Sequence, residues 1–271
     1  IFLAGYKMKK NLITLVGLLF IWTCEDVEVL KDNPLDENNP DYVAPSITFT
    51  SGPSEGDIIT ESDILFTWDG NELVTEYRTK VDSGGWSNWN INTNLLLEYL
   101  DEGAHQIALQ GRYSSGDTSS ILSINFIVDA VQGPSLMFFP RVVQTSVNST
   151  VQLKVLAEEV SNLTAVQFNI NFDPSKIEII SATQGSMLQI SGESIFDVDY
   201  DNTVGNVSII TAALGGSQPS VEGTGILLEI ELNIKSEGTS SLEFDGTEVF
   251  RDPDNNDIDI SQKVNGMVVV K

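Results

Sequence analysis

The sequence has little of the chemistry on which most enzymes and nucleic-acid-binding proteins depend. Its 271 residues include one cysteine and one histidine, which excludes an internal disulfide and a cysteine-based metal site and leaves histidine-dependent triads and histidine-rich metal sites almost nothing to use. Fourteen Lys and Arg residues stand against 39 Asp and Glu residues, for a formal charge of -25. Because phosphate binding requires clustered cations, we expect no nucleic acid as a partner.

The sequence also lacks an apolar run long enough to cross a bilayer. The run from Leu12 to Trp22 is too short to span, but it follows three lysines and suits the core of a signal peptide. Residues 21–24, Ile-Trp-Thr-Cys, resemble a bacterial lipobox, in which the cysteine becomes the lipidated N-terminus. We therefore expect residues 1–23 to be a signal peptide that starts at Met8, and Cys24 to anchor an exported bacterial lipoprotein in the cell envelope, at the cell surface. The alternative is an uncleaved or ordinarily cleaved signal with an idle thiol.

Residues 24–45 form an acidic segment rich in Asn and Pro, without usable periodicity. A flexible coil of this length reaches about 25 Å on average, and its like charges extend it further. We interpret the segment as a tether that holds the folded part of the protein away from a membrane.

Residues 46–129 contain short strand-like runs and no convincing helix. The Gly84-Gly85 pair between two of the runs predicts a hairpin. About seven strands in this length favour an immunoglobulin-like sandwich without the disulfide, and the motifs resemble an Ig/fibronectin-like module of bacterial surface proteins, whose role is spacing or adhesion. The motifs are Tyr77-Arg78, Gly85-Trp86-Ser87-x-Trp89, Leu100-x-x-Gly103-x-His105 and Phe126-x-Val128-Asp129.

Residues 130–271 contain the clearest alternating stretch of the chain. Val166, Phe168, Ile170 and Phe172 fall on one side of an extended strand, and three amides fall on the other. Burying four such side chains contributes roughly 6–12 kcal/mol gross, whereas a one-residue slip would bury the amides instead. Nine predicted strands with turn signals indicate a two-sheet jelly-roll sandwich, so that the fold class of the chain is all-β throughout.

The same residues resemble a cohesin domain. The resemblance implies a jelly-roll β-sandwich that binds a dockerin-bearing protein and assembles polysaccharide-degrading complexes at or outside bacterial cells. It is carried by an ordered set of motifs: Leu163-x-x-x-Gln167-Phe168-x-Ile170-x-Phe172-Asp173-Pro174-x-x-Ile177, Gly205-x-Val207, Gly215-Gly216, Gly223-x-Gly225-x-Leu227-x-x-Ile230 and Gly238-x-Ser240-x-Leu242-x-Phe244.

The resemblance also implies a binding face on the sheet that contains the alternating strand. Gln167 and Asn169 match contact positions of the family, and Tyr200, Ser208 and Ile210 would lie on neighbouring strands of that face. Well-studied dockerin binders often carry an Asn-x-Asp pair where this chain has Ala165-x-Gln167, so that an acid is missing. The alternative is a solvated polar face that binds nothing.

Two further groups of residues are candidates for binding. Trp86 and Trp89 could stack on sugar rings, although we favour packing roles for both. Asp252, Asp254 and Asp257 place carboxylates at spacings found in calcium loops, but the loop lacks the Gly and the distal Glu of an EF-hand, so that a solvated acidic turn is the preferred alternative.

Together these patterns predict a monomeric, non-catalytic surface lipoprotein with no required cofactor. Its expected partner is a dockerin-bearing protein. The alternatives are a polysaccharide, bound as by a carbohydrate-binding module, and a structural role as an adhesin. No local motif supports the paired carboxylates of a glycosidase.

Overall fold

The computed structural model describes residues 32–190, 193–215 and 219–271. These residues contain twenty strands and no helix, which confirms the predicted all-β class. No helix in the described part of the chain is long and apolar enough to cross a membrane. The chain divides into two compact units, residues 1–43 and 44–271. The predicted signal peptide and Cys24 lie outside the described residues.

The described part of the first unit, residues 32–43, consists of successive turns. Asn39 organises them: its side-chain amide donates a hydrogen bond to the Asn33 carbonyl at 2.9 Å, and its side-chain oxygen accepts one from the Asp41 N–H. The C-terminal part of the predicted tether is therefore shaped by local side-chain to backbone bonds, as Asn-rich segments allow.

The second unit begins with seven strands that enclose one hydrophobic core. One sheet has the order β1-β3-β5 and the other β2-β7-β6-β4, and the core between them includes Phe66, Trp68, Tyr77 and Phe126. Two sheets of three and four strands are consistent with the predicted immunoglobulin-like sandwich. The strands are β1 Ile47–Ser51, β2 Ile58–Ile59, β3 Ile64–Gly70, β4 Glu76–Val81, β5 Asn94–Leu97, β6 Gly103–Arg112 and β7 Leu122–Val128.

The hairpin predicted at Gly84-Gly85 is only partly formed. The chain does reverse there, and the Ser87 N–H donates to the Thr79 carbonyl at 2.8 Å. Beyond that bond, residues 86–90 meet β4 at a single bridge between Tyr77 and Asn90, and the regular partner of β4 is β6. The prediction of a second hairpin strand was therefore wrong, because residues 86–90 lie along the edge of β4 opposite β6 but make too few backbone bonds there to form a strand.

Thirteen strands from residue 135 onward form a second sandwich. One sheet has the order β12-β15-β10-β8-β19; the other has β13-β14-β11-β16-β20-β9, with β17 beside β11 and β18 beside β17. Nine of the strands have five residues or more, and β9, β17, β18 and β19 are shorter. The strands are β8 Ser135–Phe139, β9 Val142–Thr145, β10 Thr150–Leu163, β11 Ala165–Phe172, β12 Ile177–Gln184, β13 Ser194–Asp201, β14 Asn206–Ala213, β15 Val221–Ile234, β16 Gly238–Phe244, β17 Val249–Arg251, β18 Asp257–Ile258, β19 Gln262–Val264 and β20 Gly266–Val270.

The alternation predicted for β11 is confirmed. Val166, Phe168, Ile170 and Phe172 are all buried in the core between the two sheets. The strand pairs antiparallel with β14 over seven consecutive positions, in which Phe168 lies opposite Ile209 and Gln167 lies opposite Ile210. Because directly opposed residues share a face of the sheet, this register directs the polar side chains of β11 and β14 to the same outer surface.

The segment that joins the two sandwiches is held by acidic side chains. Glu102 Oε1 accepts hydrogen bonds from the backbone N–H groups of Ala130 and Val131, at 3.0 and 2.9 Å. Asp101 Oδ1 accepts one from the Arg141 N–H at 2.6 Å. Val131 itself is only 2% exposed. The segment at 129–134 thus has fixed partners at residues 130, 131 and 133.

Candidate partner-binding face

The candidate site is the outer surface of β13, β14, β11 and β17, which we call the outer face. Cross-strand pairing arranges its side chains in rows, with neighbours about 4.8 Å apart across the sheet. Buried residues alternate with these rows and form the core beneath, so that the surface has a rigid support. The three rows are Ile195, Ala212, Ala165 and Arg251; Asp197, Ile210, Gln167 and Val249; and Asp199, Ser208 and Asn169.

Four of the five predicted contact residues lie together on the outer face. Gln167 is opposite Ile210, and Asn169 is opposite Ser208. Ile210 is 41% exposed and stands near the middle of the surface. An exposed aliphatic side chain among polar neighbours is typical of the centre of a protein-binding patch.

The prediction for Tyr200 was wrong. Tyr200 pairs with the buried Val207, so that its side chain lies on the side of β13 that faces the core. Its hydroxyl donates to the Ile180 carbonyl at 3.3 Å. The physical reason is the phase of β13, in which Phe196 and Val198 pack against the core and share the parity of Tyr200.

Asn169 is fixed by an acid from a neighbouring loop. Its side-chain amide donates to Asp245 Oδ2 at 2.9 Å and to Thr247 Oγ1 at 3.1 Å. Burial tends to raise the pKa of Asp245, but the bonds donated by Thr247 and Asn169 outweigh it and hold the pKa below its ordinary value. Asp245 is therefore ionised near neutral pH and places a negative charge at the margin of the outer face.

Sequence reasoning missed two further acids of the outer face, Asp197 and Asp199. Both are exposed, and neither has a hydrogen bond or ion pair with any described residue. Asp197 lies directly opposite Ile210 and Asp199 opposite Ser208. The signal that could have found them is their spacing of two, which puts both on one side of a strand. The outer face therefore has carboxylates on β13, next to β14, whereas β11 lacks the acid that the family resemblance implies.

The cation on the outer face already has a partner. Arg251 lies opposite Ala165, and its guanidinium forms a 2.7 Å ion pair with Asp257. Asp197 and Asp199 therefore have no neutralising partner among the residues that the structure describes, and this side of the outer face is negative.

Trp86 and Trp89, for which we favoured packing roles over sugar stacking, contact arginines. The Arg78 guanidinium lies 4.7 Å from the Trp86 ring centre and 4.6 Å from that of Trp89. Arg112 lies 4.5 Å from the Trp89 ring and pairs with Glu76 at 2.7 Å. These cation–π contacts occupy ring surface that a sugar would need, so that sugar stacking on Trp89 would require displacement of guanidinium groups.

The acidic turn at 252–257, considered as a calcium loop but preferred as a solvated turn, is closed by its own bonds. Both carboxylate oxygens of Asp252 accept bonds from Asn256, one from the backbone N–H at 2.7 Å and one from the side-chain amide at 2.9 Å. Asp257 pairs with Arg251. Over the described ranges, no group of three or more His, Cys, Asp or Glu side chains could hold a metal ion, so Asp252, Asp254 and Asp257 do not converge on one point.

Comparison with known proteins places the second sandwich in a family. Residues 137–270 match the family model of the Cohesin domain. No curated protein matches the chain. Among solved structures, the sixth cohesin of scaffoldin B from Acetivibrio cellulolyticus, solved in complex with a Cel5 dockerin mutant, is 21% identical; the match covers 52% of this chain and 100% of that one, with a TM-score of 0.46.

Two other solved cohesins match about the same share of this chain. CaCohA2 from Clostridium acetobutylicum is 23% identical over 52% of this chain and 93% of its own, with a TM-score of 0.44. A non-cellulosomal cohesin from the archaeon Archaeoglobus fulgidus is 16% identical over 51% of this chain and 91% of its own, with a TM-score of 0.41. The second sandwich of this chain, over residues 137–270, is therefore a member of the cohesin domain family.

Proposed function

We propose that the chain is a non-catalytic receptor whose cohesin domain binds a dockerin-type module through the outer face. Cohesin domains are non-catalytic binding modules, and the match to this family extends over residues 137–270, nearly the whole second sandwich. The observation that carries the proposal is the arrangement of Gln167, Ser208 and Ile210 on one continuous, rigid surface.

The outer face has the physical properties that such binding requires. Its strands are fixed by regular ladders and a buried core, so that little conformational entropy is lost when a partner docks. Ile210 offers apolar surface at the centre, and Gln167 keeps a side-chain amide free of hydrogen bonds to described residues. Asn169, in contrast, is already oriented by Asp245 and presents a fixed edge.

We further propose that the remaining parts of the chain display this receptor. Cys24 would carry the lipid anchor, residues 24–45 would act as the tether, and the first sandwich would act as a spacer. The acids that bind the segment between the sandwiches support this arrangement, because they limit the ways in which the receptor can swing on its spacer. Through the dockerin, the protein would be linked to polysaccharide-degrading assemblies on the cell surface.

The binding test uses the full-length chain and the dockerin modules encoded in the genome of its source. We expect at least one of them to bind with micromolar or tighter affinity by calorimetry. Gln167→Arg combined with Ile210→Asp should abolish that binding, because it replaces the apolar centre of the patch with two charged side chains that a docked partner would have to desolvate. Ile91→Asp is the matched control, since Ile91 is an aliphatic residue of the first sandwich that is 78% exposed.

Two outcomes would contradict the proposal. If no dockerin binds the unsubstituted chain, the proposal that it is a dockerin receptor is wrong. If binding survives Gln167→Arg/Ile210→Asp unchanged, the site lies elsewhere on the domain. The anchor is tested separately by the intact mass of the exported protein, which should begin at an acylated Cys24.

A further inference from the structure

A short turn, residues 245–248, joins β16 to β17 at the margin of the outer face. At its start, Asp245 Oδ1 accepts hydrogen bonds from the Thr247 N–H at 2.9 Å and from the Thr247 hydroxyl at 2.6 Å. At its end, Glu248 Oε1 accepts a bond from the Gly246 N–H at 2.8 Å. Two carboxylates of the turn therefore fix its backbone.

The turn also fixes the side chain of Asn169 on the outer face. Asp245 Oδ2 and Thr247 Oγ1 each accept a bond from the Asn169 amide nitrogen, which carries two N–H donors. Because an ionised carboxylate can only accept, the nitrogen and not the oxygen of the amide must face Asp245. Asn169 Oδ1 accepts no bond from a described residue, so the turn makes Asn169 present a hydrogen-bond acceptor on the outer face.

Lys263 holds the turn from a strand of the opposite sheet. It lies in β19, and its ammonium group pairs with Glu248 Oε2 at 2.7 Å. The Glu248 side chain is only 1% exposed, whereas that of Lys263 is 39% exposed. A carboxylate buried to this degree is costly to leave unpaired. The position of Glu248, and with it the end of the turn, therefore depends on Lys263.

The segment around Lys263 acts on the turn in two further ways. Asn265 Oδ1 accepts a bond from the Phe244 N–H at 3.2 Å, immediately before the turn. The charge of Lys263 also reaches Asp245: burial raises the pKa of that carboxyl, but the hydrogen bonds it accepts, together with the Lys263 charge, hold the pKa below its ordinary value. Asp245 is therefore kept ionised near neutral pH, as an acceptor for Asn169.

We propose that Lys263 is a positioning residue of the outer face. Through Glu248 it holds the turn at 245–248, and the turn holds Asn169 with its amide oxygen directed toward the partner. This inference rests on the proposed function and names a residue outside the outer face on which binding depends. Removing the Lys263 charge alone leaves the buried carboxylate of Glu248 unpaired, whereas removing both charges does not.

The test uses the full-length chain and two measurements, the NMR signals of the Asn169 side-chain amide and the affinity for the dockerin modules by calorimetry. Lys263→Met should release the turn, so that the Asn169 amide protons exchange with water about tenfold faster. Affinity should fall about fivefold, as for the loss of one oriented hydrogen bond. Lys154→Met is the matched control, since it removes the same charge from an exposed position on β10; it should change both measurements less than about twofold.

The double variant Lys263→Met/Glu248→Gln separates positioning from a general folding defect. It removes both charges, and the amide that replaces the carboxylate keeps an oxygen for the Gly246 N–H. It should therefore restore slow exchange at Asn169 and most of the affinity. Unchanged Asn169 signals in Lys263→Met, or no recovery in the double variant, would overturn the inference. Faster exchange at Asn169 without weaker binding would also overturn it and leave the proposed function standing. If no dockerin binds the unsubstituted chain, both are overturned.

Discussion

Replacing Glu102 tests how the two sandwiches are joined. One oxygen of its carboxylate accepts two backbone hydrogen bonds, from Ala130 and Val131. Glu102→Ala removes that acceptor and leaves both N–H groups without their partner. Glu102→Gln keeps a carbonyl oxygen at the same position and removes only the charge, so it is the matched control.

The expected size of the effect follows from burial. An unsatisfied buried N–H costs roughly 1–3 kcal/mol; Val131 is almost completely buried, whereas Ala130 is half-buried and can regain a bond to water. Removing the carboxylate also has a favourable effect that offsets part of this loss. Burial raises the pKa of Glu102, although the bonds donated by Ala130 and Val131 act to lower it. Burial therefore disfavours the ionised carboxylate, and Glu102→Ala relieves that cost. We expect a net local loss of about 2 kcal/mol for Glu102→Ala and less than about 0.5 kcal/mol for Glu102→Gln.

The assay is amide hydrogen exchange at Ala130 and Val131, which reports local opening directly. A loss of about 2 kcal/mol corresponds to roughly thirtyfold faster exchange when opening is at equilibrium. Amides in the core of the second sandwich, such as those of Phe168 and Ile170, should be unchanged. Unaltered exchange at Ala130 and Val131 in Glu102→Ala would refute the reasoning, and equal acceleration in Glu102→Gln would show that charge rather than the acceptor matters.

Three further predictions concern the core, the tryptophans and pH. Phe168→Ala should destabilise the second sandwich by about 3–5 kcal/mol, because a fully buried ring is lost; urea denaturation measures this, and a loss under about 1 kcal/mol would contradict it. Trp89→Ala should lower stability by about 1–2 kcal/mol through two lost cation–π contacts, while mobility in polysaccharide gels stays the same; lost retardation would instead show sugar binding. Because burial raises the pKa of Glu102 above its ordinary value of 4.5, its contribution to stability is complete below that pH and is lost as pH rises through the folded pKa. The free energy of opening at Val131, obtained from hydrogen exchange after the intrinsic rates are divided out, should therefore fall as the pH rises above 4.5 in the unsubstituted chain and change less in Glu102→Gln.

The sequence was sufficient to predict a strand and its buried face where large apolar residues alternate strictly with polar ones. In β11 every second residue is large and apolar, so both the strand and its phase could be predicted, and the same holds for Val207 and Ile209 in β14. The four short strands β9, β17, β18 and β19 have two to four residues each. Strands this short contain too few alternating residues to be recognised from the sequence.

The phase of β13 is ambiguous at its start. Ile195 and Phe196 are adjacent apolar residues, so both faces of this strand begin with one; the spacing of Asp197 and Asp199 is the sequence signal for the outward side, and the pairing of Asp197 with Ile210 establishes it. The misplacement of Tyr200 and the omission of Asp197 and Asp199 have this single cause. The contacts of Arg78 with Trp86 and of Arg112 with Trp89 also depend on tertiary packing, which brings together side chains from separate parts of the chain.

The pairing of β9 with β20 has a consequence for mechanical load. The two strands are parallel, with Val142 beside Met267 and Thr145 beside Val270. Tension applied to the chain before β9 and after β20 would draw them in opposite directions along their length. All their hydrogen bonds would then carry the force together in shear, rather than breaking one at a time. A domain closed in this way would unfold slowly under a pull along that axis.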